Sequence, residues 1–163
     1  MAGRSTALQL LKVMDEWTEA LDNGSSIDCI YMDCQKAFDK VPQRRLIGKL
    51  KAYGIGQSLI EWIENFLSGR IQQVTLNGEH SRWHKVTSGI PLGSVIGPLM
   101  FIIYINDLPD EINSTIYMFV DDTKIFKVIK SEEDQNVLQR DLAKVEEWTN
   151  KWLLKLHPQK CNS

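Results

Sequence analysis

Three aspartates stand where the sequence otherwise resembles buried strands. Asp121 and Asp122 lie side by side in FVDDTKIF, residues 119–126, with apolar and β-prone residues on both sides. Adjacent carboxylates repel each other, and each resists burial unless a positive charge lies beside it. Asp33 ends another apolar stretch, SIDCIYMD, far upstream. If both strands are neighbours in one sheet, three carboxylates converge, and such hard oxygen ligands favour Mg²⁺.

A solvated hairpin turn is the simpler interpretation of the Asp121-Asp122 pair taken alone, because aspartate favours turns. Asp33 shifts the balance, since it supplies a third carboxylate at the end of a second strand. Two ions bridged by such carboxylates would clamp the attacking and leaving oxygens of a phosphoryl or nucleotidyl transfer. The aspartates therefore favour a metal site.

Helices and short strands alternate around these aspartates, which predicts an α+β domain with a mixed, mainly antiparallel sheet covered by helices. The stretch at 26–34 carries apolar residues on both faces, as a central strand would. Asn77-Gly78 predicts a type I′ hairpin turn, and Ser131 followed by acids predicts a helix start. The predicted elements are helices at 5–21, 44–55, 56–69, in the apolar part of 88–109 and from 131, strands at 26–34, 115–120 and 123–129, a hairpin over 70–86, and a short strand in 153–163.

Composition limits the class of protein. The chain has 163 residues, 43% of them hydrophobic, which suits one domain with a core. The longest apolar run, 90–105, is interrupted by glycine and proline, so we expect no membrane span and an intracellular protein, in nucleus or cytoplasm. The three cysteines lack metal-ligand spacing and are expected to be reduced thiols.

Charge and aromatic residues leave some alternatives open. The net charge of −2 says little, but residues 36–51 are rich in lysine and arginine. That segment is either a solvated helix face or a surface facing a polyanion. His80 and His84 fall on the predicted hairpin and are not expected to form a metal pair. The tryptophans are expected to pack in the core and on helix faces, and Trp83 is the one whose position near a loop also suits base stacking.

Taken as an ordered set, these segments resemble the palm motifs of reverse transcriptases from non-long-terminal-repeat retrotransposons. YMDCQKAFDKV is similar to motif A, SGIPLGSVIGPLMFIIYINDLP to motif B, FVDDTKIF to motif C and EEWTNKWLLKLHPQKC to motif D. GRSTALQLL resembles the stretch that precedes motif A. The resemblance covers essentially the whole chain and implies a palm with part of the fingers.

The resemblance implies a role for each matching position. Asp33 and Asp121 match the aspartates that bind two Mg²⁺ ions, with Mn²⁺ as an alternative metal, and Asp122 matches their less directly involved neighbour. Lys160 matches a lysine suggested to protonate the departing pyrophosphate. Phe38 falls at the steric gate that excludes the ribose 2′-hydroxyl. The other positions implied to lie at the incoming nucleotide are Cys34, Lys36, Ala37, Pro91 and Gly93.

Two departures from the family matter. The family usually has Pro-Gln-Gly in motif B, whereas this chain has Pro91-Leu92-Gly93, and leucine cannot hydrogen-bond a nucleotide. Upstream fingers and a downstream thumb are also missing, so residues 1–163 are expected to be a single partial domain cut from something longer. Val120 in place of the more frequent alanine is a mild change.

Two hypotheses follow. The first is an RNA-directed DNA polymerase domain that uses an RNA template, a DNA primer and deoxynucleoside triphosphates, with no membrane partner. The second is a degenerate, non-catalytic fragment that folds and binds nucleic acid weakly at most. Leu92 and the missing regions favour the second, and the three aspartates favour the first.

Overall fold

The computed structural model describes residues 6–119, 122–157, 159 and 161. The helices are α1 (Thr6–Asp22), α2 (Ala37–Lys40), α3 (Gln43–Ala52), α4 (Gln57–Leu67), α5 (Gly97–Ile105) and α6 (Glu132–Trp152), with a 3₁₀ turn at Leu108–Glu111. The strands are β1 (Ser26–Asp33), β2 (Ile71–Gln72), β3 (Thr75–Leu76), β4 (Glu79–His80), β5 (His84–Lys85), β6 (Thr115–Phe119) and β7 (Asp122–Ile129).

The sheet that carries the aspartates has three strands in the order β1-β7-β6, all antiparallel. Strand β7 pairs with β1 from Ser26 opposite Ile129 to Asp33 opposite Asp122. Strands β6 and β7 form the predicted hairpin, in which Phe119 is opposite Asp122. The predicted α+β fold is confirmed, and Asp122 begins β7 at the same end of the sheet where Asp33 ends β1.

The two faces of this sheet are covered by different helices. Met32 and Ile125 pack with Leu138 and Val145 of α6, so the even positions of β1 and the odd positions of β7 face that helix. On the opposite face, the ring of Trp17 in α1 meets the ring of Phe126 edge-on at 5.7 Å. Because side chains alternate along a strand, Asp33 and Asp122 lie on the α1 side.

The structure corrects the prediction that 26–34 is a central strand. Among the described residues β1 is an edge strand of the three-stranded sheet, with β7 in the centre. Both faces of β1 are apolar because α1 covers one face and α6 covers the other. A strand between two helical layers needs apolar residues on both faces even at the edge of a sheet.

Helix α1 also differs from the simplest expectation for an amphipathic helix. Its sequence has apolar residues at three- and four-residue steps, which predicts a buried stripe, but most of them are exposed, with Leu8 at 56%, Leu11 at 66% and Leu21 at 61%. Val13 and Ala20 are the positions that α1 buries. The helix is apolar around most of its circumference, so periodicity alone did not identify the face that packs on the sheet.

A second core lies beside the sheet, where α3, α4 and α5 pack together. Leu46, Ile60, Phe101 and Tyr104 are fully buried there. Pro42 precedes α3, as predicted, and the short helix α2 was not predicted. Lys49 is buried in this region, at 5% exposure, so the basic segment 36–51 is not one continuous solvated or polyanion-facing surface.

The remaining predicted elements are present in shorter form. The hairpin over 70–86 consists of two short ladders, β2 with β5 and β3 with β4, and both Asn77 (φ 50°) and Gly78 (φ 85°) have the positive φ of a type I′ turn. Ser131 and Asp134 form the capping box of α6. The predicted tail strand is a single bridge, Leu156 with Cys34. No helix in the described part of the chain is long and apolar enough to cross a membrane.

Candidate metal and nucleotide site

The antiparallel ladder places two of the three predicted carboxylates opposite each other. Asp33, the last residue of β1, is paired in register with Asp122, the first residue of β7. Side chains of directly opposed residues share one face of a sheet, with Cβ atoms about 5 Å apart. Asp33 is 8% exposed, whereas Asp122 is exposed. Asp121 and Lys160 lie outside the described residues.

Both carboxylates line one cavity of about 400 Å³ between α1 and the end of the sheet. Its other walls are largely apolar and include Val13, Met32 and Phe119. Like charges directly opposite each other destabilise a sheet, and a low-dielectric wall strengthens the repulsion. A cation bound between the two carboxylates would offset this repulsion.

The cavity also holds one lysine that the sequence reasoning missed. Lys124 follows Asp122 by two residues and so lies on the same face of β7. Its Nζ lies 4.0 Å from the ring centroid of Trp17 and 5.4 Å from that of Tyr31, which are cation–π distances. The period-two alternation from Asp122 was the signal that could have identified it.

The donor set fits a divalent cation. Carboxylate oxygens at the ends of adjacent strands are the hard ligands that Mg²⁺ and Mn²⁺ accept. Among the residues that the structure describes, no group of three or more histidine, cysteine, aspartate or glutamate side chains could hold a metal ion. The predicted trio includes Asp121, so the structure places two of its three members together.

The segment after Asp33 makes a tight turn into α2. Lys36 adopts a left-handed conformation, with φ 50°, and its side chain is exposed. Ala37 is buried at 3%, and Phe38 stacks on Phe101 of α5 with ring centroids 4.9 Å apart. The predicted gate residue is thus fixed between the turn and α5.

The glycine-rich segment before α5 packs against this turn through its backbone. The N–H of Gly89 donates to the carbonyl of Val41 at 2.8 Å, and that of Ile90 to the carbonyl of Phe38 at 2.8 Å. A Cβ at Gly89, whose φ is 84°, would lie 2.6 Å from the carbonyl oxygen of Asp39. Glycine is required there by both space and conformation. The two segments predicted to hold the nucleotide are therefore joined.

The loop from Pro91 to Gly97 is closed by Ser94. Its Oγ donates to the carbonyl of Pro91 at 2.7 Å and accepts from the N–H of Gly97 at 3.0 Å. Leu92 projects outward at 79% exposure, and Gly93 has φ 82°. The position at which the family usually has glutamine is thus a surface position of the loop.

The end of the chain runs along the end of β1. The N–H of His157 donates to the carbonyl of Asp33 at 2.8 Å, and that of Gln35 donates to the carbonyl of Lys155 at 2.7 Å. Cys34, half-buried, forms the bridge to Leu156 between these bonds. The backbone of the motif D segment therefore fixes the residues around Asp33.

His80 and His84 lie apart from this site, on β4 and β5.

Comparison with known proteins decides the family. The family model described as reverse transcriptase (RNA-dependent DNA polymerase) matches residues 2–163. This chain belongs to the reverse transcriptase family. The resemblance to enzymes of non-long-terminal-repeat retrotransposons is confirmed by the curated relatives as well.

Those relatives come from mobile elements of flies. The reverse transcriptase chain is 30% identical over 165 residues to an RNA-directed DNA polymerase from mobile element jockey of Drosophila funebris, covering 96% of this chain and 18% of the relative. It is 28% identical over 168 residues to a probable RNA-directed DNA polymerase from transposon X-element of Drosophila melanogaster, covering 99% and 18%. The chain thus spans less than a fifth of the length of these relatives.

A solved structure confirms the fold. Apo telomerase from Candida tropicalis, truncated from its C-terminal domain, superimposes with a TM-score of 0.70 at 12% identity, covering 98% of this reverse transcriptase chain and 35% of the telomerase chain. At this identity the likeness concerns the fold alone.

Proposed function

We propose that this chain is the palm, with part of the fingers, of an RNA-directed DNA polymerase that extends a DNA primer on an RNA template. The observation that carries the proposal is the register of Asp33 opposite Asp122 at one end of the sheet, in a chain of this family. Deoxynucleoside triphosphates are the proposed substrates.

Asp33 and Asp122, together with Asp121, are proposed to hold two Mg²⁺ ions, for which Mn²⁺ can substitute. Bound there, the ions would lower the pKa of the primer 3′-hydroxyl and neutralise the charge that develops on the triphosphate. The chain's own contribution is positioning: the β1–β7 ladder fixes the two opposed carboxylates, and the backbone bond from His157 to Asp33 fixes the strand end.

The turn after Asp33 is proposed to select the sugar. The ring of Phe38 is stacked on Phe101, so it can exclude a 2′-hydroxyl without moving away. Ala37 and Lys36 precede it in the tight turn, with Cys34 at the strand end, and Pro91 and Gly93 lie in the loop whose start is bonded to Phe38. Lys160 is proposed to give its proton to the departing pyrophosphate.

A primer-extension assay tests the function. The chain is mixed with a 5′-labelled DNA primer on an RNA template, deoxynucleotides and Mg²⁺. We expect extension that EDTA abolishes and that Asp33→Asn reduces below detection. Phe38→Val should gain incorporation of ribonucleotides relative to wild type. Extension by Asp33→Asn at the wild-type rate would contradict the proposal.

A non-catalytic fragment is the second candidate, and Leu92 is the observation that favours it. At 79% exposure Leu92 offers no hydrogen bond to a nucleotide, unlike the family's usual glutamine. In that case wild type and Asp33→Asn would be equally inactive, and magnesium would not bind in a manner that depends on Asp33.

A further inference from the structure

The hairpin between α4 and the glycine-rich loop stands away from both cores. In this segment, residues 71–85, every side chain is exposed except Gln73, which is half-exposed. The exposed residues include Val74 at 67%, Leu76 at 71% and Trp83 at 61%. A two-stranded hairpin with no core beneath it is marginally stable in water. We refer to residues 71–85 as the projecting hairpin.

Hydrogen bonds within the projecting hairpin nevertheless fix its conformation. The N–H of Ser81 donates to the carbonyl of Val74 at 2.9 Å, and the Ser81 Oγ accepts from the N–H of Val74 at 2.9 Å. Gln73 Nε2 donates to the carbonyl of Ser81 at 2.7 Å. Together with the Asn77-Gly78 turn, these bonds hold a defined surface rather than a loose loop.

The base of the projecting hairpin is joined to the nucleotide segments. The Nη2 of Arg70 donates to the carbonyl of Gly89 at 2.9 Å, and the N–H of Val86 donates to the carbonyl of Arg70 at 2.9 Å. The Oγ of Ser88 donates to the carbonyl of Asp39, next to Phe38, at 2.9 Å. A strand held on the hairpin would therefore lie beside the loop and turn proposed to receive the nucleotide.

Trp83 differs from the other tryptophans in its surroundings. Rings of other aromatic residues contact Trp17, Trp62, Trp148 and Trp152. Within the described part of the chain, Trp83 has no aromatic neighbour. Its indole is more exposed than that of Trp62, at 61% against 51%. A large aromatic face left open to solvent can accept another flat ring.

Two basic residues flank Trp83 in the sequence. Arg82 directly precedes Trp83 and Lys85 follows it by two residues, and both are exposed. In the portion of the chain that the structure describes, neither has a carboxylate as an ion-pair partner. Glu79, the one acid between residues 71 and 85, lies on β4, in the other of the two short ladders. An open aromatic ring whose sequence neighbours are exposed cations suits a base and its flanking phosphates.

From this geometry we propose that the projecting hairpin binds a single strand of nucleic acid, with a base stacked on Trp83 and phosphates at Arg82 and Lys85. The proposal rests on the proposed function, in which that strand is the RNA template. Exposed Val74 and Leu76 extend the apolar part of this surface along the hairpin.

Fluorescence anisotropy of a labelled uridine 12-mer tests the proposal, in EDTA and at about 50 mM salt, so that neither metal binding nor polymerisation contributes. Trp83→Ala should raise the Kd by about 5- to 150-fold, the usual range for loss of one stacked base. Trp62→Ala, which removes a half-exposed tryptophan outside the hairpin, should change it less than about twofold. The double variant Arg82→Gln/Lys85→Gln should reduce the slope of log K against log salt by about 1.4.

Several outcomes would overturn the proposal. The wild-type chain could fail to bind the 12-mer, or it could bind a duplex more tightly than the single strand. The Kd could also be unchanged in Trp83→Ala, or raised as much by Trp62→Ala as by Trp83→Ala. If the chain does not bind the 12-mer but self-associates in sedimentation, and Trp83→Ala abolishes that self-association, the surface binds a second copy of the chain instead. A deoxythymidine 12-mer should bind as tightly as the uridine 12-mer, because stacking and phosphate contacts do not require the 2′-hydroxyl; strict dependence on ribose would contradict the proposed contacts.

Discussion

Two regions of this reverse transcriptase chain arrange charged side chains in opposite ways. Lys49 is 5% exposed, and its Nζ donates to the carbonyl of Tyr104 and to Oδ1 of Asp107, each at 2.5 Å. The same ammonium lies 3.8 Å from the ring centroid of Trp152. Trp148 Nε1 donates to the same oxygen of Asp107 at 3.0 Å. The Lys49 ammonium is therefore surrounded by a carboxylate, a carbonyl and an aromatic face, all of which stabilise a positive charge.

The end of the β1–β7 ladder instead places two like charges opposite each other. Asp33 and Asp122 are both carboxylates and are paired directly across the strands. Lys124, the lysine on that face, has its ammonium over the ring of Trp17. The Lys49 cluster joins α3 to α5 and α6, whereas the carboxylate pair is proposed to bind a cation.

The largest effect is expected from Asp33→Asn. Primer extension should fall below detection, because a ligand of both proposed metal ions is lost. Asp28→Asn, an exposed position on the same strand opposite Lys127, is the control and should leave extension unchanged. Primer extension by both variants is the measurement, and extension by Asp33→Asn at the rate of Asp28→Asn would contradict the proposed metal-binding role of Asp33.

Lys49→Met should lower the stability of the fold. We expect a loss of about 3 kcal/mol in the free energy of unfolding, because the variant removes one partner of a buried ion pair and a cation–π contact. Lys51→Met is the matched control on the same helix: Lys51 pairs with Glu64 at 3.5 Å on the surface, so its loss should cost about 0.5 kcal/mol or less. Urea denaturation of both variants tests this, and equal costs would show that burial of Lys49 is unimportant.

Asp141 gives a smaller effect that depends on pH. Burial raises the pKa of this carboxyl, but hydrogen bonds from Ser114 and Asn113 outweigh it, so the pKa is lowered overall. A carboxyl with a lowered folded-state pKa contributes stability above its ordinary pKa of 3.8, and that stability is lost as the pH falls through the folded-state value.

Asp141→Asn should therefore cost about 2 kcal/mol at pH 7, because the amide cannot accept all of these bonds. The difference from wild type should shrink below about pH 4, the region of the ordinary carboxyl pKa. Glu147→Gln, an exposed change on α6, should leave the profile parallel to wild type. Unfolding free energies from pH 7 down to about 2.5 are the measurement, and a constant difference at all pH values would disprove the assignment.

Leu92→Gln should have the smallest effect on stability. Leu92 is 79% exposed, so the free energy of unfolding should change by less than about 0.5 kcal/mol. The added amide can hydrogen-bond an incoming nucleotide, which should lower its KM in primer extension by up to about fivefold. Val95→Gln, at 97% exposure in the same loop, is the control and should leave the KM unchanged. An equal gain for both variants would contradict a specific role for position 92.

Sequence patterns identified what depends on local signals. Local signals predicted the Asn77-Gly78 turn, the helix start at Ser131 and the strand over 123–129, and those predictions are confirmed. The pairing of Asp33 with Asp122 needed only the assumption that two strands are neighbours. The resemblance to the family then implied that Phe38, in the turn after Asp33, is the steric gate.

Other features depend on tertiary context and could not be predicted in this way. Lys49 resembles its solvated neighbours in sequence, and only the arrangement of Tyr104, Trp148 and Trp152 around it makes it buried. The apolar character of 26–34 comes from two helical layers rather than from two neighbouring strands. Asp121 and Lys160 lie outside the described residues, so their roles stay predictions.

The central claim is that a divalent cation compensates the opposed carboxylates of Asp33 and Asp122, and thermal unfolding as a function of Mg²⁺ tests it most directly. At tenfold excess over the Kd, binding should stabilise the wild-type chain by about 1.4 kcal/mol and raise its Tm by about 3 to 6 °C. Asp33→Asn should show almost no rise, while Asp28→Asn should follow wild type. An equal rise in wild type and Asp33→Asn, or no rise in wild type, would contradict the account.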